Sequence, residues 1–345
     1  MTASPVYRES LRQALDALPA DLPKTATVFV TGATGLIGSA VVDVLLARNE
    51  SRGSKFMVLA AGRSAERVRE RFGERPDLEP VVYDATDAAV PAFKADYVIH
   101  AASNASPDRY MQEPVETMLA NFQGLYGLLG QARAGGAKGL LYVSSSEVYG
   151  TKSKPGPWKE DDVGVVSHLN VRASYAEAKR AAETLAVSYS SEYGLPVVVV
   201  RPGHVYGPTA RRRDLRVSSD FAYKAAAGEP LVLKSDGLQV RSYCHCLDCA
   251  TAILTALWRG ADGAAYNVSN PNSVITIRKL AELMAKAGGV PLEFQLPTET
   301  EKRAFNPMTN ASLDASRLLA LGWRPVFAAE EGIVSTVQSL KEGLR

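Results

Sequence analysis

The feature that most constrains this chain is a strand that runs directly into a glycine-rich turn and then into a helix. Thr27-Val28-Phe29-Val30-Thr31 is β-branched and aromatic throughout, the composition of a buried strand. Gly32-Ala33-Thr34-Gly35-Leu36-Ile37-Gly38 follows, and an apolar helical pattern runs from Ser39 to Ala47. Glycines at such a junction let backbone N–H groups approach a pyrophosphate, and the positive end of the helix favours the anion. Gly32, Thr34, Gly35, Leu36, Ile37 and Gly38 are therefore the first candidate cofactor contacts.

Further strand-like runs occur at Phe56–Ala60, Pro80–Tyr83, Tyr97–His100, Gly139–Val143 and Val197–Val200, separated mostly by helical patterns such as Ala65–Phe72 and Val115–Ala134. That alternation predicts an α/β fold, a Rossmann-type doubly wound parallel sheet, with a dinucleotide across the carboxyl ends of its strands. After Val200 the pattern breaks into Arg-, Pro- and Gly-rich stretches, where a smaller C-terminal substrate-binding subdomain is expected. The expected division is an N-terminal helical extension at 1–24, a dinucleotide-binding domain at 25–201 and 236–270, and the substrate-binding subdomain at 202–235 and 271–345. Residues 5–22 read as a short amphipathic helix with Leu11, Leu15 and Leu18 on one side.

The end of the second strand should hold the residue that reads the adenosine ribose. An acid there selects NAD, whereas Arg accommodates a 2′-phosphate. The chain has Ala60-Ala61-Gly62-Arg63-Ser64, with one Arg and no acid, so both NAD and NADP stay open and Arg63 is the candidate for the phosphate. Asp84, after the third strand, is a candidate for the adenine amino group or an ordinary turn residue.

A second motif carries chemistry. Val143-Ser144-Ser145-Ser146-Glu147-Val148-Tyr149-Gly150 is followed by Ser174-Tyr175-Ala176-Glu177-Ala178-Lys179-Arg180. Tyr175 and Lys179 are spaced to share one helix face. Ser174 and Glu177 have the form of a capping box, and Gly194 with Pro196 should end the helix. An ammonium near a phenol favours the phenolate, so Lys179 is expected to lower the Tyr175 pKa and ready it as a base.

With 46% hydrophobic and 22% charged residues over 345 positions, the composition is that of a soluble globular protein. The net charge of +2 gives no reason to expect nucleic acid. No apolar run reaches the ~18 residues of a membrane span, and no signal peptide is visible, so a cytoplasmic protein without membrane association is expected. Cys244, Cys246 and Cys249 lie beside His245 but without a second ligand cluster; they read as small buried apolar residues, and no metal is expected.

These residues together resemble the extended short-chain dehydrogenases/reductases, and within them the UDP-glucuronate decarboxylases. The general pattern is matched by Thr31-Gly32-x-x-Gly35-x-x-Gly38, Asn121, Ser145 and Tyr175-x-x-x-Lys179. The narrower one is matched by His100-Ala101-Ala102-Ser103-Asn104-Ala105-Ser106-Pro107, Tyr110-Met111, Ser146-Glu147-Val148-Tyr149-Gly150, Arg172-Ala173-Ser174-Tyr175, Asp214-Leu215-Arg216-Val217 and Gln239-Val240-Arg241. The resemblance implies oxidation of a nucleotide sugar at C4 with bound NAD(P). Tyr175 would be the base, Ser145 would hold the oxygen, Lys179 would bind the nicotinamide ribose, and Glu147 would be an acid or base near C5. It also places Ala101, Ala102, Ser103, Asn121, Pro202 and His204 at the cofactor. Ser106, Tyr110, Ser145, Arg172, His204, Arg216 and Arg241 fall to the substrate, which would be UDP-linked, and a homodimer formed through two helices per subunit is implied.

The chain departs from that family pattern where an acid usually ends the second strand, where Ser145 replaces Thr, and where His204 replaces Asn. Decarboxylation of a UDP-uronate, UDP-glucuronate to UDP-xylose or its 4-keto form, is the leading expectation. The alternatives are 4-epimerisation, including that of UDP-glucuronate, 4,6-dehydration, and a non-catalytic dinucleotide-sensing protein.

Overall fold

The computed structural model describes residues 4–87, 89–103, 105–152, 155–298 and 308–343. Seven parallel strands form the central sheet: β1 (Thr25–Thr31), β2 (Lys55–Gly62), β3 (Leu78–Val82), β4 (Tyr97–His100), β5 (Gly139–Val143), β6 (Val197–Pro202) and β10 (Ala265–Val268). Their order is β10-β6-β5-β4-β1-β2-β3. The order reverses between β1 and β4, so a crevice opens at the carboxyl ends of those two strands. Thr31 of β1 pairs with His100 of β4 at that point, and the Thr31 hydroxyl lies 2.7 Å from His100 Nδ1.

Side chains alternate across the sheet, so each strand feeds two cores. Val28 and Val30 pack with α2 (Leu36–Arg52) and α8 (Cys246–Arg259), whereas Phe29 and Val98 pack with α5 (Pro114–Ala134) and α6 (Ala173–Tyr193). Both faces being covered, the strands can be almost wholly apolar, as in the four-valine run of β6. The three cysteines are fully buried in the first of these cores, as small apolar residues should be.

β9 is Val240–His245, and Cys246 already opens α8. β9 belongs to a second sheet, pairing with β7 (His204–Tyr206), β11 (Val274–Thr276) and β13 (Asn310–Ala311), while β8 (Leu231–Leu233) pairs with β12 (Leu292–Phe294). A third core joins α7 (Val217–Ala227), α9 (Ile277–Gly288) and the last helix, Ala329–Gly343.

The N-terminal helix, α1, is Pro5–Asp16, shorter than expected, with Ser4 capping the Tyr7 N–H. It is bound to the main fold by the buried Tyr7 hydroxyl, which donates to Asp43 at 2.7 Å, a carboxylate that also pairs with Arg71. A hydrogen bond to a buried charge contributes about 1.5–3 kcal/mol, so α1 is an anchored element. Among the described residues no helix is long and apolar enough to cross a membrane.

Candidate active site

The glycine-rich turn is built so that only glycine fits at two of its positions. Gly32 has φ +65°, and a Cβ there would lie 2.8 Å from the Ala101 carbonyl oxygen; a Cβ on Gly38 would lie 2.2 Å from the Gly32 carbonyl oxygen. Gly35 precedes α2 without any side-chain cap, so the first-turn N–H groups at Leu36 and Ile37 are left for an anion. Beside it, the Ala101 and Ala102 N–H groups each donate to the Thr31 hydroxyl at 3.1 Å, which fixes the segment leaving β4. The close-packed turn, the uncapped helix and the switch-point crevice together fit a dinucleotide.

At the far end of that crevice stands Tyr175, buried near the start of α6. Tyr110, in the short helix α4 (Pro107–Gln112), stacks on it with ring centroids 5.3 Å apart and planes 16° apart. Burial pushes the Tyr175 phenol up to about 12; the neighbouring Ser145 hydroxyl, Arg216 and Ser103 act in the opposite direction, and Glu147 adds to the rise. Lys179 lies one turn on, its ammonium 5.8 Å from the Tyr175 ring centroid and donating to the Val143 carbonyl at 2.7 Å. Burial lowers Lys179 to about 7. Burial thus outweighs the depression expected from Lys179, and the groups that favour the Tyr175 phenolate are the Ser145 hydroxyl, Arg216 and Ser103.

The capping box expected at Ser174 and Glu177 does not form. Arg172 is the residue before the helix and already has helical dihedrals, φ −60° and ψ −23°. A turn supplies the first bonds instead, with Ala173 N–H donating to Asn170 O and Ser174 N–H to Val171 O, and the Ser174 hydroxyl turns to the Tyr110 carbonyl at 3.4 Å. Gly194 ends the helix in the left-handed conformation, as predicted.

The turn from Ser146 to Tyr149 presents Glu147. Ser145 accepts from the Glu147 N–H at 3.2 Å, and Arg180 on α6 donates to the Val148 carbonyl at 2.6 Å, so the turn is fixed from both sides. Arg172 grips the Glu147 carboxylate with both guanidinium nitrogens, at 3.0 and 3.2 Å, and also donates to the Tyr110 hydroxyl at 3.2 Å. A cavity of about 200 Å³ opens here, lined among others by Glu147, Arg172 and Met308.

Arg241 on β9 is 3% exposed. Its Nη1 donates to its own carbonyl-bearing neighbour Val240 at 2.9 Å, and among the described residues no carboxylate pairs with it. Burial lowers its pKa, Tyr243 and Glu147 oppose that, and Arg172 adds to it, so Arg241 shares its surroundings with the Glu147–Arg172 pair. Arg216 is held by Asp214 through its Nε at 2.9 Å. His204 lies between Arg241 and Arg216 in its electrostatic surroundings, and burial first, then those two cations, lowers it to about 3, so the ring is neutral.

Other expected residues fall into a supporting layer. Asn121 on α5 is fully buried; its side-chain oxygen accepts from Ser103 at 3.1 Å and from Tyr142 at 3.3 Å. Ser103, expected at the cofactor, thus bridges Asn121 and the surroundings of Tyr175. Ser106 leads into α4, its carbonyl accepting from the Tyr110 N–H. Pro202 closes β6. Arg63 is exposed just past β2, and Asp84 accepts from the Thr86 N–H and hydroxyl in a tight turn. Asn104 of the resemblance motif lies outside the described residues.

Sequence reasoning missed two groups. Arg201 at the end of β6 holds Glu183 of α6 at 2.7 Å and the Tyr149 hydroxyl at 3.0 Å, bracing the turn that carries Glu147; the charged residue closing an all-valine strand was the available signal. Arg211, in the Arg-rich stretch after Val200, donates to the Thr34 carbonyl at 3.0 Å and to the Thr34 hydroxyl.

The NAD dependent epimerase/dehydratase family model matches residues 28–269. UDP-glucuronic acid decarboxylase 3 of Arabidopsis thaliana is 31% identical over 308 residues, covering 89% of this chain and 86% of its own. UDP-glucuronic acid decarboxylase 1 of Xenopus tropicalis is 30% identical over 322 residues, covering 92% and 72%. Among solved structures, UDP-glucose 4-epimerase of Thermotoga maritima with UDP-glucose superimposes with a TM-score of 0.78 at 25% identity, over 92% of this chain and 100% of that one. The dTDP-glucose 4,6-dehydratase of Streptomyces venezuelae with NAD bound gives 0.76 at 25% identity, over 92% and 97%.

Proposed function

Because this chain belongs to the NAD dependent epimerase/dehydratase family, whose similar members act on nucleotide sugars, we propose that it decarboxylates a UDP-linked uronate such as UDP-glucuronate. The observation that carries this reading is the charge arrangement around Glu147. Arg172 already holds that carboxylate at two points, whereas the buried Arg241, within electrostatic reach of Glu147, forms no ion pair among the described residues. A buried guanidinium without an ion-pair partner favours an anionic group on the substrate. Loss of CO2 from a β-keto acid needs no base at C5, whereas dehydration must first remove the C5 proton.

Bound NAD(P) would supply the acceptor and later donor of hydride, and a positive charge near the phenol. Tyr175 takes the proton from the C4 hydroxyl, while Ser145 hydrogen-bonds the same oxygen through oxidation. The resulting 4-keto uronate loses its C6 carboxylate as CO2, and the electron pair passes to the C4 oxygen, where Ser145 and Tyr175 stabilise it. Glu147 and Arg172 border the cavity at C5, where the proton is returned. Arg241, with Arg216 and His204, orients the carboxylate or the diphosphate. The family resemblance also supports a homodimer: Met118, Leu119, Phe122 and Tyr126 on α5 and Val187 on α6 are exposed apolar side chains on neighbouring helices.

The test is incubation of the pure protein with UDP-glucuronate, UDP-glucose, dTDP-glucose and GDP-mannose, with product masses read directly. Loss of CO2 from UDP-glucuronate alone is the expected result. Loss of water from a hexose would replace decarboxylation by dehydration, an unchanged mass with inverted C4 would indicate epimerisation, and inertness toward all four would leave a dinucleotide-sensing protein.

A further inference from the structure

We propose that Arg63, Arg67 and Arg211 form a cage for the 2′-phosphate of NADP, with Arg211 reaching it from the loop that also carries Arg216. The inference rests on the dinucleotide-binding reading above and specifies which dinucleotide. Gly62, the last residue of β2, lies against the glycine-rich turn: a Cβ on it would be 3.9 Å from the Thr34 hydroxyl. Arg63 is the next residue, and Arg67 stands one turn into α3 (Ala65–Phe72), whose N-terminus is capped by Ser64. Arg211 arrives from the opposite side, its guanidinium bonded to the Thr34 carbonyl and hydroxyl.

Arg63 follows Gly62 and Arg211 is bonded to Thr34, so the two flank the place where the adenosine ribose lies in a fold of this kind, with Arg67 in the first turn of α3 beside them. Partial burial lowers the Arg211 pKa first, and the charges of Arg63 and Arg67 lower it further. Among the described residues none of them pairs with a carboxylate. The segment Ala60-Ala61-Gly62-Arg63-Ser64 offers no acid to accept from a free 2′-hydroxyl. A phosphate monoester brings a charge of about −1.5 to −2 and three acceptor oxygens, which relieves this repulsion and suits planar Arg forks. A bare ribose diol does neither. Arg211 and Arg216 share one short loop, so the phosphate would also fix the segment that brings Arg216 near Tyr175.

Isothermal titration of the full chain with NADPH and with NADH, after removal of any co-purified dinucleotide, tests this. The parent protein is expected to prefer NADPH. Arg63→Ala and Arg67→Ala should each weaken NADPH about tenfold or more while leaving NADH within about twofold; Arg211→Ala, which also removes the bonds to Thr34, should weaken NADPH by a larger factor than NADH, and Arg211→Lys should recover part of the NADPH loss. Adenosine 2′-monophosphate should displace NADPH better than adenosine 5′-monophosphate. Equal affinity of the parent for both cofactors, a preference for NADH, or equal weakening of both by Arg211→Ala would overturn the cage while leaving the sugar chemistry standing. Failure of the parent to bind either dinucleotide would overturn the underlying reading as well.

Discussion

Arg172 holds Glu147 in a two-point ion pair, at 3.0 and 3.2 Å, and the same guanidinium reaches the hydroxyl of the tyrosine stacked on Tyr175. One arginine thereby couples the candidate acid to the ring that backs the candidate base. Arg172→Lys cannot reproduce both contacts, because an ammonium is a point donor.

From this pair follows the first prediction. Glu147→Gln should lower kcat by about 10²-fold or more with little change in cofactor affinity, the range expected for loss of a positioned proton-transfer group. Arg172→Lys should give a smaller fall in kcat, since the charge is retained and the geometry is not. Steady-state kinetics on both variants check this; a Glu147→Gln enzyme of parental kcat would remove Glu147 from the reaction.

Lys179 gives a pH-dependent stability. Its value falls from 10.5 to about 7 on burial. Between those values the unfolded chain holds a proton that the native chain has lost, so native stability rises with pH across that window. Lys179→Met removes this dependence. Its melting temperature relative to the parent should be most favourable near about pH 6 and should decline toward about pH 10. A relative stability that grows with pH would contradict the buried, neutral Lys179.

Gly38 offers a test of the cofactor turn. A Cβ there would sit 2.2 Å from the Gly32 carbonyl oxygen, so Gly38→Ala must displace backbone. Dinucleotide affinity should fall at least about tenfold, while α2 and the sheet beneath it keep the chain folded. Calorimetric titration beside circular dichroism separates the two effects, and unchanged affinity in a folded variant would place the dinucleotide elsewhere.

The exposed apolar residues of α5 predict the assembly. Phe122 is 46% exposed and Met118 45%. Phe122→Glu should convert a dimer to monomers in sedimentation velocity, because a charge is costly in a desolvated helix interface. A parent protein that is monomeric at micromolar concentration would rule the interface out.

Much of the architecture was legible because local chemistry and fold agree. The run Thr27–Thr31, the glycines to Gly38, the helix Ala65–Phe72 and the Gly194 stop each follow from periodicity or turn chemistry, and each stands where those signals put it. What escaped was set by distant parts of the chain. Ser174 did not cap α6 because the turn at Asn170 supplied its bonds. The stacking of Tyr110 on Tyr175 and the docking of Arg211 on Thr34 join residues far apart in sequence, to which no helical or strand period points. The pKa of Tyr175 escaped for a related reason: the spacing places Lys179 on the right face, but burial, which spacing does not report, controls both groups.

The central claim is tested most directly by following carbon. Purified protein incubated with UDP-glucuronate labelled at C6 should release labelled CO2 and leave an unlabelled UDP-pentose or its 4-keto form, and Tyr175→Phe, still able to bind dinucleotide, should release almost none. Label retained in a UDP-hexuronate product, or equal CO2 release by Tyr175→Phe, would contradict the account.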